Sequence, residues 1–241
     1  MALSYHGVRA FGAKNPTLPR YREEMAQGTA GFDRIARPYR WIEYMTLGAL
    51  LQRTRVHFLP ELHGCRRAVV LGDGDGRFLA ELLRGNPELV ADAVDTSEAM
   101  LGLLARRTDP ARVTTHHRSA LDFEPSAPVD LIATHFFLDC LTQDEVDALC
   151  LRLAGSLIPG GLWVVSDFRI PDGAMQWPAR LYVGTLYRVF GLLTGLTVRR
   201  LPDFASALTA AGLTRMGVRH RLFGLLTGEL WGKARGQRSE S

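Results

Sequence analysis

The spacing of apolar residues changes period several times along the chain, and those changes divide it. Between residues 66 and 168, short runs such as "RAVVLG", "LVADAVD", "RVTTHH", "VDLIATHF" and "GLWVVSDF" alternate with "RFLAELLRG", "SEAMLGLLARR" and "TQDEVDALCLRLAGSLIPGG". The first set is compact, and four of its five members are rich in valine or isoleucine, as buried strands are; the second repeats apolar residues every three or four positions, as helices do. Strands alternating with helices predict a mostly parallel sheet covered on both faces. Ligands of such sheets bind off the carboxyl ends of the strands, where the strand order reverses.

Punctuation supports the division. Thr142 with Glu145 three residues on makes a capping box, and "PGG" is expected to stop that helix before the next strand. Upstream, "FDRIARPYRWIEYMTLGALLQRTRVHFL" reads as helix interrupted at Pro38. Downstream come a helix around residues 179–193 and another opened by "LPDF" and closed by Gly212. Two last strand-like runs, "LTRMGVRHRLF" and "LLTGELW", predict an antiparallel hairpin. The expected boundaries are an N-terminal helical lid over residues 1–60, a core over 61–231 and a polar tail over 232–241.

Composition narrows the setting. The chain has 241 residues, 46% of them hydrophobic, enough for one domain with a sizeable core. Lys14 and Lys233 are its only lysines among 29 basic residues, and the net charge is +4. Scattered arginines of this kind fit coding bias better than a nucleic-acid surface, with Arg199 and Arg200 the one tight pair. Cys65, Cys140 and Cys150 lack metal-ligand spacing, and their odd number speaks against a disulfide framework, so a reducing cytoplasm is expected. No secretory signal pattern opens the chain, and residues 181–197 are interrupted by Arg188 and glycines, so no membrane span is expected.

The chemistry concentrates at "VVLGDGDGRF", residues 69–78, where the first strand runs into Gly72, Gly74 and Gly76 and then a helix. Glycines there permit left-handed backbone and close approach of a ligand, and the helix start offers N–H groups to an anionic end. An EF-hand needs a ligand where Arg77 stands and a glutamate at the end of its loop. A Walker loop needs a Gly-Lys-Ser/Thr sequence that does not follow. The dinucleotide fingerprint needs a third glycine, again at Arg77. Asp95 closes the next strand nineteen residues beyond Gly76, where a carboxylate can take both hydroxyls of a ribose. Capping the following helix, with Thr96 and Ser97, is the alternative role.

Taken together, "VVLGDGDGRFL", "VDTSEAML", "VDLIATHFFLD" and "LIPGGLWVVSDF", in this order and spacing, resemble the class I S-adenosylmethionine-dependent methyltransferases, and among them the small-molecule group that includes the quinone-biosynthesis C-methyltransferases. The resemblance implies an α/β fold: a Rossmann-like, seven-stranded, mostly parallel sheet with a C-terminal antiparallel hairpin, helices on both faces and extra N-terminal helices. It implies S-adenosyl-L-methionine as cofactor and S-adenosyl-L-homocysteine as product. It places Gly72, Gly74 and Gly76 against the methionine part, Asp95 on the ribose, Thr96 and Met100 at the adenine, and Ser119, Ala120 and Leu121 around the adenine amino group. Thr134 and His135 fall beneath the methionine part, and Tyr39 over the methyl group as a lid.

Two positions depart from that pattern. Val70 stands where an acidic residue is usual, so the methionine amino group must be met by Asp73 or by backbone carbonyls; Ser119 replaces the usual acid at the adenine. Methyl transfer is a direct displacement that depends chiefly on alignment, so a base is needed only when the acceptor loses a proton. His135 is the candidate base, or else a supporting hydrogen-bond donor, and Asp139 either orients it or caps the next helix. Trp177, Tyr182, Tyr187 and Phe190 form an aromatic stripe suited to core, homodimer contact or acceptor wall. His116 and His117 are adjacent on a strand and point to opposite faces, which disfavours a metal pair.

The expected partner is a small, largely apolar acceptor, methylated at oxygen, carbon or nitrogen. "THFFLD" stands where enzymes that methylate base amino groups carry an "NPPY"-like string, so nucleic acid is not the expected partner. A nicotinamide-dependent oxidoreductase and a non-methylating binding or regulatory protein of the same fold are the alternatives.

Overall fold

The computed structural model describes residues 47–194 and 200–235. Seven strands form one sheet: β1 (Arg67–Leu71), β2 (Val90–Asp95), β3 (Val113–His117), β4 (Val129–His135), β5 (Leu157–Phe168), β6 (Leu213–Arg221) and β7 (Leu226–Lys233). Their order is β3-β2-β1-β4-β5-β7-β6. The first five are parallel, whereas β7 runs antiparallel to both β5 and β6. From β1 the chain builds outward to β3, then returns to place β4 on the other side of β1. That reversal opens the crevice in which such sheets hold ligands.

Helices α1 (Gly48–Arg55), α2 (Arg77–Gly85), α3 (Glu98–Ala105), α4 (Gln143–Ser156), α5 (Gln176–Thr194) and α6 (Phe204–Ala210) surround the sheet. Alternate side chains of the strands face opposite layers. Val69, Leu71, Ile132, Trp163 and Val165 pack with Val146, Leu149 and Leu153 of α4 and Leu208 of α6. Ala68, Val70, Leu131, Ala133 and Val164 pack with Phe78, Leu79 and Leu82 of α2 and with Phe58 and Leu62. Burial on both faces explains why the strands read as continuous apolar runs. The C-terminal hairpin is present: β6 and β7 pair from Leu213↔Lys233 to Arg221↔Leu226.

Several boundaries differ from expectation. α4 begins with both halves of its capping box, the Thr142 N–H donating to Glu145 Oε2 at 2.8 Å and the Glu145 N–H to Thr142 Oγ1 at 3.4 Å. It ends at Ser156, however, and "PGG" lies inside β5, where the register jumps from Val129↔Leu157 to Leu131↔Leu162. Glycine and proline here make an irregularity in a strand, a role sequence punctuation shares with a helix stop. Of the upstream helix, the described part is α1, and most of the expected N-terminal lid lies outside the described residues. β7 continues to Lys233, two residues past the expected core boundary, because its ammonium reaches back to accepting carbonyls of Ala154 and Leu157, each at 2.7 Å.

Candidate active site at the strand tips

Burying a polar group is costly unless it is hydrogen-bonded, so the location of buried polar side chains is informative. Asp73, Asp75, Ser97, Thr134, His135, Asp139, Ser166 and Asp167 are all buried, and all lie at or just beyond the carboxyl ends of β1, β2, β4 and β5. The crevice predicted from strand order and this polar concentration coincide.

The loop after β1 turns through three left-handed glycines, with φ of 64° at Gly72, 63° at Gly74 and 79° at Gly76. They serve different ends. A Cβ on Gly72 would lie 2.5 Å from the Phe137 ring, and one on Gly76 would lie 2.8 Å from the Leu104 side chain and 2.9 Å from its Cα. Those two glycines admit protein. At Gly74 the nearest atom to such a Cβ is Met100 Sδ at 4.0 Å, so this glycine is the one whose Cα faces open space. The helix start behind the loop is already served from within: Asp73 Oδ2 accepts from the Leu79 N–H at 2.9 Å. Asp73 is pushed up to about 7, chiefly by burial. Its Oδ1 is buried without a hydrogen-bond partner. Asp75, on the loop's other side, is held by Arg77 at 3.0 Å and Arg107 at 3.1 Å, which ties the loop to the end of α3.

At the tip of β2, Asp95 Oδ1 accepts from the Ser97 N–H at 2.9 Å, while Ser97 itself caps α3 by accepting from the Met100 N–H at 3.2 Å. Ser97 therefore does the capping. Met100 is buried, and its sulfur beside Gly74 brings α3 to the glycine loop. The Thr96 carbonyl accepts from, or lies paired with, His117 Nε2 at 2.9 Å, whereas His116 on the opposite face pairs with Asp92 at 2.8 Å. Beyond β3, Ser119 Oγ accepts from the Leu121 N–H at 3.1 Å and shapes a short turn over Ala120–Asp122. Arg152 of α4 clamps that turn by donating to the carbonyls of Ala120, at 2.7 Å, and Phe123.

Thr134 and His135 end β4 on opposite faces. Thr134 Oγ1 accepts from the Trp163 indole N–H at 3.1 Å. His135 is 1% exposed, its ring 4.1 Å from that of Phe78, and Nδ1 lies 3.0 Å from Ser166 Oγ on β5. Ser166 thus takes the orienting place that the sequence reading offered to Asp139. Burial, with the Arg55 charge nearby, holds this imidazole well below its usual range and so neutral. The next residue, Phe136, has a left-handed φ of 53°, kept there by an N–H bond to the Ser166 carbonyl at 2.6 Å. Left-handed backbone with a side chain costs about 1–2 kcal/mol, and such strain collects at functional sites.

Asp139 follows in a short turn, Leu138–Cys140. Its expected role as cap of the next helix is corrected by the structure, since Thr142 performs that capping. Asp139 is buried instead against the tip of β5, its N–H donating to Asp167 Oδ2 at 3.2 Å. Burial raises Asp139 to about 6. Asp167 is raised well above the usual carboxylate range by burial and then by the Asp139 charge. Cys140, whose thiol donates to Asp139 Oδ1 at 3.5 Å, is raised in turn by burial and by the charges of both acids.

Sequence reasoning missed Arg55, Ser166, Asp167 and the pair Phe136 and Phe137. A signal existed for Ser166 and Asp167: "VVSDF" ends an apolar strand in polar residues just as "IATH" does. No comparable signal marks Arg55, which ends α1, is 8% exposed and holds its guanidinium 5.1 Å over the Phe136 ring. Tyr39 lies outside the described residues, as do the side chains of Tyr187 and Phe190. Trp177 is on α5 and 78% exposed, and Tyr182 packs beside Ala179 and Val183. Among the described residues, no cluster of three His, Cys, Asp or Glu side chains could hold a metal ion, and no helix is long and apolar enough to cross a membrane.

Residues 68–161 match the family model described as "Methyltransferase domain". Solved structures agree on the fold. The N-methyltransferase NodS from Bradyrhizobium japonicum WM9 is 15% identical with a TM-score of 0.56, over 77% of this chain and 97% of that one. An O-methyltransferase family protein from Burkholderia thailandensis is 17% identical with a TM-score of 0.62, over 92% and 64%. Human N-acetylserotonin methyltransferase, solved in complex with S-adenosylmethionine, is 14% identical with a TM-score of 0.58, over 92% and 60%. The chain therefore spans nearly all of the first and less than two thirds of the other two. No curated protein sequence matches it. The match to the methyltransferase-domain model thus covers residues 68–161, and the sheet that contains them has the Rossmann-like fold of these methyltransferase structures.

Proposed function

We propose that this protein is an S-adenosylmethionine-dependent methyltransferase acting on a small, largely apolar acceptor. One observation carries the reading. At the β1/β4 reversal, Gly74 offers bare backbone to open space, and Asp95 stands at the tip of the strand next to it. The donor set fits the cofactor: an unpartnered buried carboxylate oxygen on Asp73 suits an ammonium group, and a carboxylate at Asp95 suits a ribose diol. Gly72, Gly74 and Gly76 carry the loop against the methionine part, Thr96 and Met100 border the adenine, and Ser119, Ala120 and Leu121 receive its amino group. Thr134 and His135 lie beneath the methionine part, and Tyr39 is assigned the lid through the family resemblance.

When bound, the cofactor supplies a methyl group on a positively charged sulfur. The protein's residues align and enclose it, and such alignment can contribute about 7–11 kcal/mol of a barrier. His135, held neutral, is suited to receiving or donating a hydrogen bond at fixed geometry. Asp139, with a carboxyl poised near neutrality, is suited to receiving a proton from an acceptor hydroxyl or amine. An apolar acceptor suits the surroundings, where Phe136, Phe137 and Phe168 gather.

Calorimetry with S-adenosylhomocysteine and NADH tests the cofactor, followed by turnover of S-adenosylmethionine over a panel of phenolic, quinol and amine acceptors. Uptake of the first ligand alone with methylation of at least one acceptor supports the reading. Absence of S-adenosylhomocysteine binding to the intact chain overturns it.

A further inference from the structure

The turn between β6 and β7 holds a phenylalanine out of the protein on strained backbone. Leu222 and Phe223 are both left-handed, with φ of 50° and 54°, and among the described residues Phe136 is the one other non-glycine in that region. Leu222 packs inward with Ile170, Tyr182 and Leu225, whereas Phe223 is 78% exposed. Strain of this kind collects at functional positions, and here it ends in an apolar ring in water.

The turn lies at the crevice end of the sheet, because Phe168, the last residue of β5, pairs with Leu226, which also pairs with Arg221 at the end of β6. It is packed onto the segment that leads into α5. A Cβ on Gly224 would lie 3.0 Å from Pro171 Cβ, and Leu225 is buried with Ala179 and Val183 of α5. The stripe of α5 opposite Ala179 and Val183 is exposed and carries Trp177, Arg180, Leu181 and Arg188, which helical spacing puts on one side. Trp177 is 78% and Leu181 68% exposed, where a helix on a protein surface ordinarily turns polar residues outward. Residues 169–225, which contain both features, hold eight arginines and two acids, more positive charge than the +4 of the whole chain. Of the two acids, Asp172 pairs with Arg169 at 3.3 Å and Asp203 caps α6 by accepting from the Ser206 N–H at 3.0 Å.

We propose that the exposed stripe of α5 and the β6–β7 turn form a docking surface for a bilayer bearing anionic headgroups. Trp177, Leu181 and Phe223 enter the headgroup layer, and Arg180 and Arg188 meet its phosphates. Charge complementarity selects this occupant. A second copy docked through the same face brings arginines against arginines, whereas an anionic bilayer offers phosphate and hydrocarbon together. The apolar side chains stand on the outer side of a helix and at the tip of a turn, a form that inserts into a surface rather than enclosing a peptide. The surface stands on these residues alone. Its purpose, admitting to the crevice an acceptor dissolved in the bilayer, rests on the methyl-transfer reading above.

The test is co-sedimentation of the full chain with vesicles of mixed phosphatidylglycerol and phosphatidylcholine, and with vesicles of phosphatidylcholine alone, at low and at high salt. Anionic vesicles are expected to bind the wild-type chain about tenfold more tightly, and high salt to weaken that binding. Two paired variants follow: Trp177→Gln with Phe223→Asn, asparagine being tolerant of left-handed backbone, and Arg180→Glu with Arg188→Glu. Each pair is expected to weaken binding to anionic vesicles by about tenfold with thermal unfolding unchanged, since exposed side chains are replaced. A wild-type chain that binds neither vesicle, or both equally, overturns the proposal, and so does undiminished binding in either pair. Sedimentation velocity reads the competing occupant: a wild-type dimer that the first pair dissociates assigns the face to a second copy and overturns the bilayer. Titration of S-adenosylhomocysteine without vesicles reads the cofactor separately, and its failure overturns the methyl-transfer reading while leaving the vesicle result intact.

Discussion

The backbone N–H of Asp139 donates to the carboxylate of Asp167 at 3.2 Å, joining the turn after β4 to the tip of β5 and holding two buried acids together. Both are raised above the ordinary carboxylate range by burial, Asp139 to about 6. In the folded chain they keep protons that the unfolded chain releases from 3.8 upward. Folding therefore binds protons here, and the associated stability is complete below the unfolded value and lost as pH rises through the folded one. Asp139→Asn imitates the protonated acid. It is expected to flatten the decline in unfolding free energy between pH 5 and pH 8 by on the order of 1–3 kcal/mol. Urea denaturation at the two pH values checks this, and an unchanged slope refutes it.

The glycines give a second expectation, because a common sequence motif hides three different surroundings. Gly72→Ala combines a left-handed backbone, about 1–2 kcal/mol, with displacement of the Phe137 ring from 2.5 Å, about 1–3 kcal/mol more. Gly74→Ala incurs only the first cost, since its Cβ enters open space. Its larger effect is expected on ligand uptake. Thermal unfolding and S-adenosylhomocysteine titration together should therefore rank the pair in opposite orders, Gly72→Ala worse in stability and Gly74→Ala worse in affinity relative to its stability loss. The same rank in both measurements would contradict the assignment of open space to Gly74.

How far the sequence revealed this site depends on what each residue answers to. The glycine turn, Asp95 and the end of β4 were legible because strand tips in an alternating pattern are fixed by local periodicity. The hairpin was legible for the same reason. "PGG" misled because an irregularity within β5 and a helix stop require the same residues. Asp139 misled because its preference for caps was overruled by a tertiary partner 28 residues away, Asp167. Arg55 was invisible: its place over Phe136 depends on how α1 docks, and nothing in "LLQRTRVHF" distinguishes it from Arg53.

Arg152 shows how a helix on one face governs a turn at the crevice. Its guanidinium donates to the carbonyls of Ala120 and Phe123, so the Ser119–Leu121 turn is braced from α4. Arg152→Ala removes charge-assisted bonds worth about 1.5–3 kcal/mol each to charged groups in measured series, although lysine can recover only one point of contact. If that turn receives the adenine, Arg152→Ala is expected to weaken both S-adenosylhomocysteine and methylthioadenosine by about tenfold, because both contain adenine. Loss confined to one of them would remove the turn from the adenine site.

Thr134 and His135 supply the last expectation, since adjacent residues here face different layers and do different work. The Trp163 indole N–H is buried and donates to Thr134 Oγ1, so Thr134→Val keeps the shape and leaves that donor unmet at a cost of about 1–3 kcal/mol. That cost should not vary with pH, because neither group titrates near neutrality. His135 behaves otherwise. Burial holds its imidazole neutral in the folded chain while the unfolded chain gains a proton below about 6.5, so stability is full above that value and falls as pH decreases. His135→Phe, placed against Phe78, is expected to remove this acid loss, gaining stability relative to wild type at pH 5 but not at pH 8. Guanidinium denaturation at both values checks the sign, and an NMR titration of the wild-type imidazole checks the cause: a midpoint at or above 6.5 would overturn the neutral assignment and return His135 to the role of general base.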